Sequence, residues 1–201
     1  MNRQNSVFEM LRLGVTLALY AAAACTILAA VNMVTSVRIA QNKTDRANAA
    51  MKAVFPEADS FVPAESFSPA QNASAVIQSV YLAKQNGMTA GGVAEVSGPT
   101  YDRGTLMVGM KTDGTITGVQ FLELTDSPGF GLKANDPTFH LASGKTFCGQ
   151  FEGKNARDGF LSGAHFDSIS GATITSVAAG NLITEGTGCL FELFSRERSP
   201  E

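Results

Sequence analysis

The sequence predicts an α+β protein, with a single N-terminal transmembrane helix ahead of one domain of antiparallel strands that ends in a C-terminal helix. Three observations carry this expectation. An uncharged apolar run lies near the start, period-two strand patterns cluster in the middle, and helical spacing returns only at the end. Strands grouped together, with helices at the ends, are the arrangement of α+β folds. A chain of 201 residues has room for one domain of ordinary size plus an appendage.

The apolar run comes first. Hydrophobic residues make up 44% of the chain and charged residues only 16%, which points to a part outside water. No charged residue occurs from Leu13 to Val34, and the polar side chains there (Thr16, Tyr20, Thr26, Asn32) are uncharged. As a helix those residues span about 33 Å at ~1.5 Å per residue, enough for a bilayer core of ~30 Å. A cleaved signal peptide has a shorter apolar core, and here the run continues well past Ala22-Ala23-Ala24. A lipoprotein signal ending at Cys25 would leave an apolar new terminus. The expectation is therefore a retained anchor over 13–35, preceded by a segment 1–12. Arg3 and Arg12 before it, with Arg38, Lys43 and Arg46 after it, leave orientation open by charge alone. Gly14, Ala18 and Ala22 form a small-residue stripe that suits either close helix packing in lipid or ordinary membrane-helix composition.

A connecting helix and linker are expected over 36–74. Ala40 to Phe55 reads as a polar, alanine-rich helix stopped by Pro56, and Glu57 to Ser74 as loop or irregular covering segment. The globular domain is expected over 75–201. Ala75 to Ala83 alternates and reads as a strand; Thr105–Lys111 and Thr115–Leu124 read as two more, joined by the Asp113-Gly114 turn. Thr125 to Ala134 is a Pro/Gly-rich loop, Phe147 to Phe160 strand and turn, and Val177 to Phe194 a helix. Asn42-Lys43-Thr44 and Asn72-Ala73-Ser74 match the glycosylation pattern, which recurs often by chance.

Charge and cysteines exclude some functions. The first 46 residues carry a net charge of +3 and the remaining 155 a net charge of −6. An acidic globular domain does not suit phosphate backbones, so no nucleic-acid partner is expected. Cys25, Cys148 and Cys189 have no metal-ligand spacing, and neither do His140 and His165. Cys148 and Cys189 read either as buried free thiols or as a disulfide in an oxidising compartment.

The chemistry lies in Asp167-Ser168-Ile169-Ser170-Gly171-Ala172-Thr173. It matches Asp-x-x-(Ser/Thr)-Gly-Ala-Thr, the pattern at which a flavin transferase links FMN to the threonine hydroxyl through a phosphoester. A threonine hydroxyl is a weak nucleophile, so it has to be presented on an exposed, tight turn. Gly171 permits unusual dihedrals, and Ala172 is small enough for another enzyme to close over. Ser170 is expected to cap the following helix, whose free N–H groups suit a phosphate. Asp167 is expected to orient the hydroxyl or act as a recognition contact. The competing reading is a plain N-cap and first helical turn. Ser162-Gly163-Ala164-His165 repeats the tripeptide, but it ends in His and its nearest upstream acid, Asp158, is one residue too far.

With these residues the chain resembles the G-subunit family of Rnf electron-transport complexes, which are FMN-binding-domain proteins. It is similar more distantly to the C-subunit family of sodium-pumping NADH:quinone reductases. The resemblance runs from the anchor through Met107-Val108-Gly109, Asp113-Gly114, Ile116 and Gly118-Val119. It continues through Asp126-Ser127-Pro128-Gly129-Phe130-Gly131, which stands for Glu-Thr-Pro-Gly-Leu-Gly, then Phe151, Gly153-Lys154 and Ser170 to Ser176. Asp126 is one methylene shorter than the family's Glu. The resemblance implies covalent FMN on Thr173, with Asp167, Ser170, Gly171, Ala172, Thr175, Ser176 and the Asp126–Gly131 loop as cofactor-binding residues. Thr175 and Ser176 are expected to bond the phosphate, and Phe130 or Tyr101 to pack on the flavin ring or simply on protein. It further implies a cytoplasmic segment 1–12, an extracytoplasmic FMN-binding domain and a single-pass place in the inner membrane. The implied partners are the membrane, iron–sulfur and flavin subunits of the complex, and a flavin transferase for maturation. The implied role is electron transfer within a ferredoxin:NAD oxidoreductase coupled to ion translocation, not catalysis alone. The rivals are a quinone-reductase-type carrier, separable by its co-purifying subunits, and an anchored scaffold without cofactor.

Overall fold

A 52-residue helix, α1 (Arg3–Val54), begins the computed structural model, which describes residues 3–72 and 74–198. Met1, Asn2, Ala73 and 199–201 lie outside it, so the Asn72-Ala73-Ser74 pattern and the outermost ends of 1–12 and 75–201 are not described. The expected anchor and the expected helix over 40–55 are one element. The chain divides into two units after Asp45, inside α1.

In the first unit, α1 is long and apolar enough to cross a membrane, and none of its most apolar stretch is covered by protein. Leu17, Leu19, Ile27, Leu28 and Val34 are all exposed. Its threonines turn their hydroxyls back on the helix: Thr16 donates to the Leu13 carbonyl at 2.8 Å, Thr26 to Ala22 at 2.8 Å and Thr35 to Val31 at 2.7 Å. Polar groups satisfied in this way do not need water, as a segment in lipid requires.

The second unit, from Arg46 on, is a five-stranded antiparallel meander in the order β1-β2-β3-β4-β5. The strands are β1 (Ser60–Pro63), β2 (Val76–Gln85), β3 (Met88–Gly98), β4 (Gly104–Lys111) and β5 (Ile116–Leu124). Helix α2 (Thr173–Arg198) packs on one face. There Val80, Leu82, Val96, Leu106, Val108 and Met110 meet Ala179, Leu182, Ile183 and Leu190. The last turns of α1 cover the other face, where Ala50, Met51, Val54 and Phe55 meet Ala83, Val93 and Met107. Paired Gly109 and Gly118 lie under Val54; a Cβ on Gly109 would come within 2.6 Å of its carbonyl oxygen. Each large apolar side chain buried this way contributes roughly 1.5–3 kcal/mol.

Four expectations are corrected. Strand β3 was not anticipated; it pairs with β2 through a two-residue turn in which Asn86 and Gly87 both take positive φ, 52° and 78°. The 57–74 stretch contains the edge strand β1, which ends at Pro63, a residue tolerated at strand ends because it lacks the N–H. Phe147–Phe160 is not a strand. Its chain forms 3-10 turns at Cys148–Gln150 and Ala156–Asp158, and a bridge joins Asn155 to Thr115 beside the start of β5. Bonds from Gly153 to Ile116, from Ile116 to Lys154 and from Ala156 to Gly114 tie it to the first residue of β5 and the turn before it. Finally, the helical spacing read over Val177–Phe194 extends in both directions, with α2 running from Thr173, close behind the expected Ser170 cap, to Arg198.

Cys148 and Cys189 are free thiols, with Sγ atoms directed to the Ala134 and Ser68 carbonyls. Burial pushes the Cys148 thiol up to about 12.

Candidate functional site

The start of α2 is shaped by the turn before it. Gly171 has φ +79°, a conformation that costs an L-residue about 1–2 kcal/mol, and the Ala172 N–H closes the turn on the Ile169 carbonyl at 2.9 Å. The helix begins at Thr173, so Ala172 immediately precedes it, while Ser170 sits exposed in the turn and does not take the capping place expected of it. Helical rotation of ~100° per residue then sorts the next four side chains. Thr175 and Ser176 point inward and are buried, whereas Thr173 and Ile174 point outward and are exposed. The N–H groups of a first helical turn have no partner within the helix and favour an anion.

Each inward hydroxyl is committed. Ser176 Oγ accepts from the Ile169 N–H at 3.0 Å and donates to the Ala172 carbonyl at 2.9 Å, bracketing the turn from inside. Thr175 Oγ1 donates to Asp126 Oδ2 at 2.5 Å. The Ser176 hydroxyl, expected to bond a phosphate, is fully buried and bonded at both ends within the protein. Thr175 keeps an edge on the pocket but spends its proton on Asp126.

Asp126 joins three segments. Only 2% exposed, it also accepts from Thr100 Oγ1 at 2.5 Å and from the backbone N–H groups of Asp102 and Tyr101 at 2.9 and 3.3 Å. Burial pulls this carboxyl upward, but the two hydroxyls and the two backbone N–H groups together hold it below the usual carboxylate range. The shorter acid thus reaches inward to Thr100 and Thr175. Gly131 passes directly over this cluster. A Cβ there would lie 2.6 Å from Asp126 Oδ2 and 2.7 Å from Thr175 Oγ1, so its close approach is to protein.

In front of the cluster lies a cavity of about 570 Å³, within the range of small-molecule and cofactor sites. Ser127, Pro128, Phe130 and Gly131 form one wall, Gly171 to Thr175 another, and Tyr101 the third. The Phe130 ring packs against Gly171, with Cδ1 3.2 Å from where a Cβ would stand. Tyr101, Phe130 and Ile174 are exposed at the rim. The structure thus brings together Ser127, Pro128, Phe130, Gly131, Gly171, Ala172, Thr173 and Thr175. Asp126 and Ser176 stand behind the wall, while Gly129, Ser170 and Asp167 lie outside the lining. Among the described residues, no group of three or more His, Cys, Asp or Glu comes together.

Sequence reasoning missed Thr100, Ile174 and Gln150. Thr100 and Gln150 act through hydrogen bonds 26 and 17 residues away, which no local pattern marks. Ile174 was legible as the neighbour of Thr173 once the helix start was placed.

Comparison with known proteins agrees with this geometry. Residues 101–187, which contain every residue lining the cavity, match the FMN-binding domain model, and residues 1–54 match the RnfG N-terminal region. The G subunit of the ion-translocating oxidoreductase complex of Escherichia coli O157:H7 is 32% identical over 186 residues, covering 85% of both chains. The G subunit of the Na(+)-translocating ferredoxin:NAD(+) oxidoreductase complex of Acetobacterium woodii is 26% identical, over 91% of this chain and 90% of its own. The G subunit of the ion-translocating oxidoreductase complex of Methanosarcina acetivorans is 28% identical, over 85% and 88%.

Proposed function

Because this chain belongs to the G-subunit family of ion-translocating oxidoreductase complexes, we propose that it is a membrane-anchored flavoprotein carrying FMN covalently on Thr173. It transfers electrons within an Rnf-type ferredoxin:NAD oxidoreductase. The observation that carries the site is the cavity. Its walls are the Ser127–Gly131 loop and the start of α2, and Thr173 lies exposed on the second wall. Helix N–H groups at that end suit a phosphate, and the Tyr101, Phe130 and Ile174 side chains suit an apolar ring system.

Attachment needs an activated donor, because a free phosphate has no good leaving group. Thr173 Oγ1 would form the new O–P bond at the flavin-side phosphorus as the pyrophosphate P–O bond breaks, its proton passing to the departing phosphate. The donor suited to this is a flavin dinucleotide held by a transferase, with a nucleoside monophosphate as the leaving group. The bound flavin supplies the redox chemistry; the protein supplies position, exposure and environment. Thr100, Asp126, Thr175 and Ser176 hold the two walls in register, while Tyr101, Phe130 and Ile174 limit water at the rim. Helix α1 fits a single-pass anchor, and we place the domain on the extracytoplasmic side beside the other subunits of the complex.

The test is direct. Produced with an active flavin transferase, the protein is expected to fluoresce as a flavoprotein on a denaturing gel, with the FMN mass increment on a peptide containing Thr173. An unmodified Thr173 with fluorescence elsewhere, or no fluorescence at all, would overturn the proposal.

A further inference from the structure

Asp167 presents an unusual combination of a firmly held backbone and an unpartnered side chain. Among the described residues, nothing bonds its carboxylate, which is exposed. Its main chain is held on both sides by one side chain. Gln150 Oε1 accepts from the Asp167 N–H at 2.8 Å, and Gln150 Nε2 donates to the Asp167 carbonyl at 3.1 Å. A primary amide used this way reproduces the pair of bonds exchanged by two hydrogen-bonded strand residues, and it fixes the peptide units before and after Asp167 together.

The clamp itself has little freedom. Gln150 is 5% exposed and ends a 3-10 turn whose neighbours Phe147 and Phe151 are fully buried. Phe166, next to Asp167, packs against the same two rings with centroids 6.2 and 5.2 Å away. Core packing alone does not require a buried amide here, since an apolar side chain of similar volume fills space without polar atoms to satisfy. The arrangement instead holds the backbone of residues 166 and 167 and delivers a free carboxylate to the surface, six residues ahead of Thr173.

We infer that Gln150 is the positioning residue for Asp167, its clamp setting how this acid of the attachment motif is presented to the transferase that loads Thr173 with flavin. This rests on the reading of Thr173 as the attachment point. Gln150 touches neither flavin nor the reacting hydroxyl; it acts only through Asp167.

A double-variant cycle tests it on the full chain in detergent, with purified transferase and flavin adenine dinucleotide as donor. The initial attachment rate is read by in-gel fluorescence against acceptor concentration. Gln150→Ala and Asp167→Asn are each expected to lower kcat/KM for the acceptor at least tenfold, chiefly through KM, with the cooperative thermal transition retained. The double variant is expected to match Asp167→Asn alone within about twofold, because coupled residues are non-additive. Losses that multiply, or a Gln150→Ala rate equal to wild type, overturn the inference. Should Gln150→Ala lose its thermal transition, Gln150→Met carries the same cycle, since it keeps the volume and loses both bonds. Hydrogen exchange gives an independent reading: the Asp167 amide is expected to exchange at least tenfold faster in the variant, and unchanged protection overturns the clamp. Wild type that takes no flavin on Thr173 sinks the attachment reading instead, and the exchange measurement still decides whether Gln150 holds Asp167.

Discussion

Two turns in this protein share the tripeptide Ser-Gly-Ala and differ in the residue that ends them. At Ser162–His165 and at Ser170–Thr173 the glycine has the same φ of +79°. After Gly163 the chain closes on itself. The His165 N–H bonds the Leu161 carbonyl, the Gly163 N–H bonds Phe166, and the His165 ring accepts from the Leu161 N–H at 3.1 Å. After Gly171 the chain opens into a 26-residue helix whose first residues line a cavity. A positive-φ glycine therefore marks a turn in both places. Only the second has a helix start behind it, a buried Asp126 cluster under it, and an exposed threonine on it.

The largest expected effect comes from exchanging the residue that ends each turn. Thr173→Ala is expected to abolish covalent flavin completely, read as in-gel fluorescence. Adding His165→Thr to that variant is expected to restore none of it, because a threonine there follows a turn closed by its own backbone bonds. Fluorescence regained at residue 165 would mean that the tripeptide alone suffices and that the helix start is irrelevant.

Next in size is the support under the second turn. Asp126→Ala removes the acceptor for two hydroxyls and two backbone N–H groups, at a cost of about 2–4 kcal/mol, or roughly 4–16 °C in Tm for a unit of this size. The pH dependence has a definite sign. Donated hydrogen bonds hold the folded Asp126 carboxyl below its unfolded value, against the pull of burial, so its contribution is present in full above the unfolded value near pH 4. It is lost as pH falls on through the folded value, where protonation breaks the cluster. Asp126→Asn is expected to be less stable at pH 7 and to lose less stability on acidification, as measured by thermal melts from pH 7 to pH 3. An acid profile as steep as that of wild type would remove Asp126 from this role.

The contrast also shows what local sequence can carry. The anchor, the Asp113-Gly114 hairpin and the Thr173 turn were legible because each has a short-range signature: an uncharged run, a turn dipeptide, a motif of fixed spacing. Strand β3 was not, although Asn86-Gly87 announces a hairpin. Its burial on both faces, by α2 and by the end of α1, removes the alternation that betrays a half-exposed strand. At the site, exposed Thr173 was legible, whereas the supports behind it were not. Thr100, Asp126 and Thr175 meet across 75 residues of chain, and Gln150 reaches Asp167 from a 3-10 turn that reads as strand. Motifs reveal what is presented; long-range hydrogen bonds determine how it is held.

The smallest effect separates the two glycines themselves. Alanine at either position has to adopt positive φ, and each substitution costs about 1 kcal/mol and roughly 2–4 °C in Tm. Space distinguishes them. A Cβ on Gly163 meets nothing within 4 Å, whereas one on Gly171 stands 3.2 Å from Phe130 Cδ1 and 3.5 Å from its Cε1. The Phe130 ring is 56% exposed, so it swings aside at little cost in stability, but in doing so it moves the cavity wall that faces Thr173. Stability and attachment should therefore part company. Gly163→Ala and Gly171→Ala are expected to melt within a few degrees of each other. Flavin is expected to load at the wild-type rate on the first and severalfold more slowly on the second. Equal loading rates would show that Phe130 and the loop it belongs to do not shape the attachment site, and that the two turns differ only in the residue that ends them.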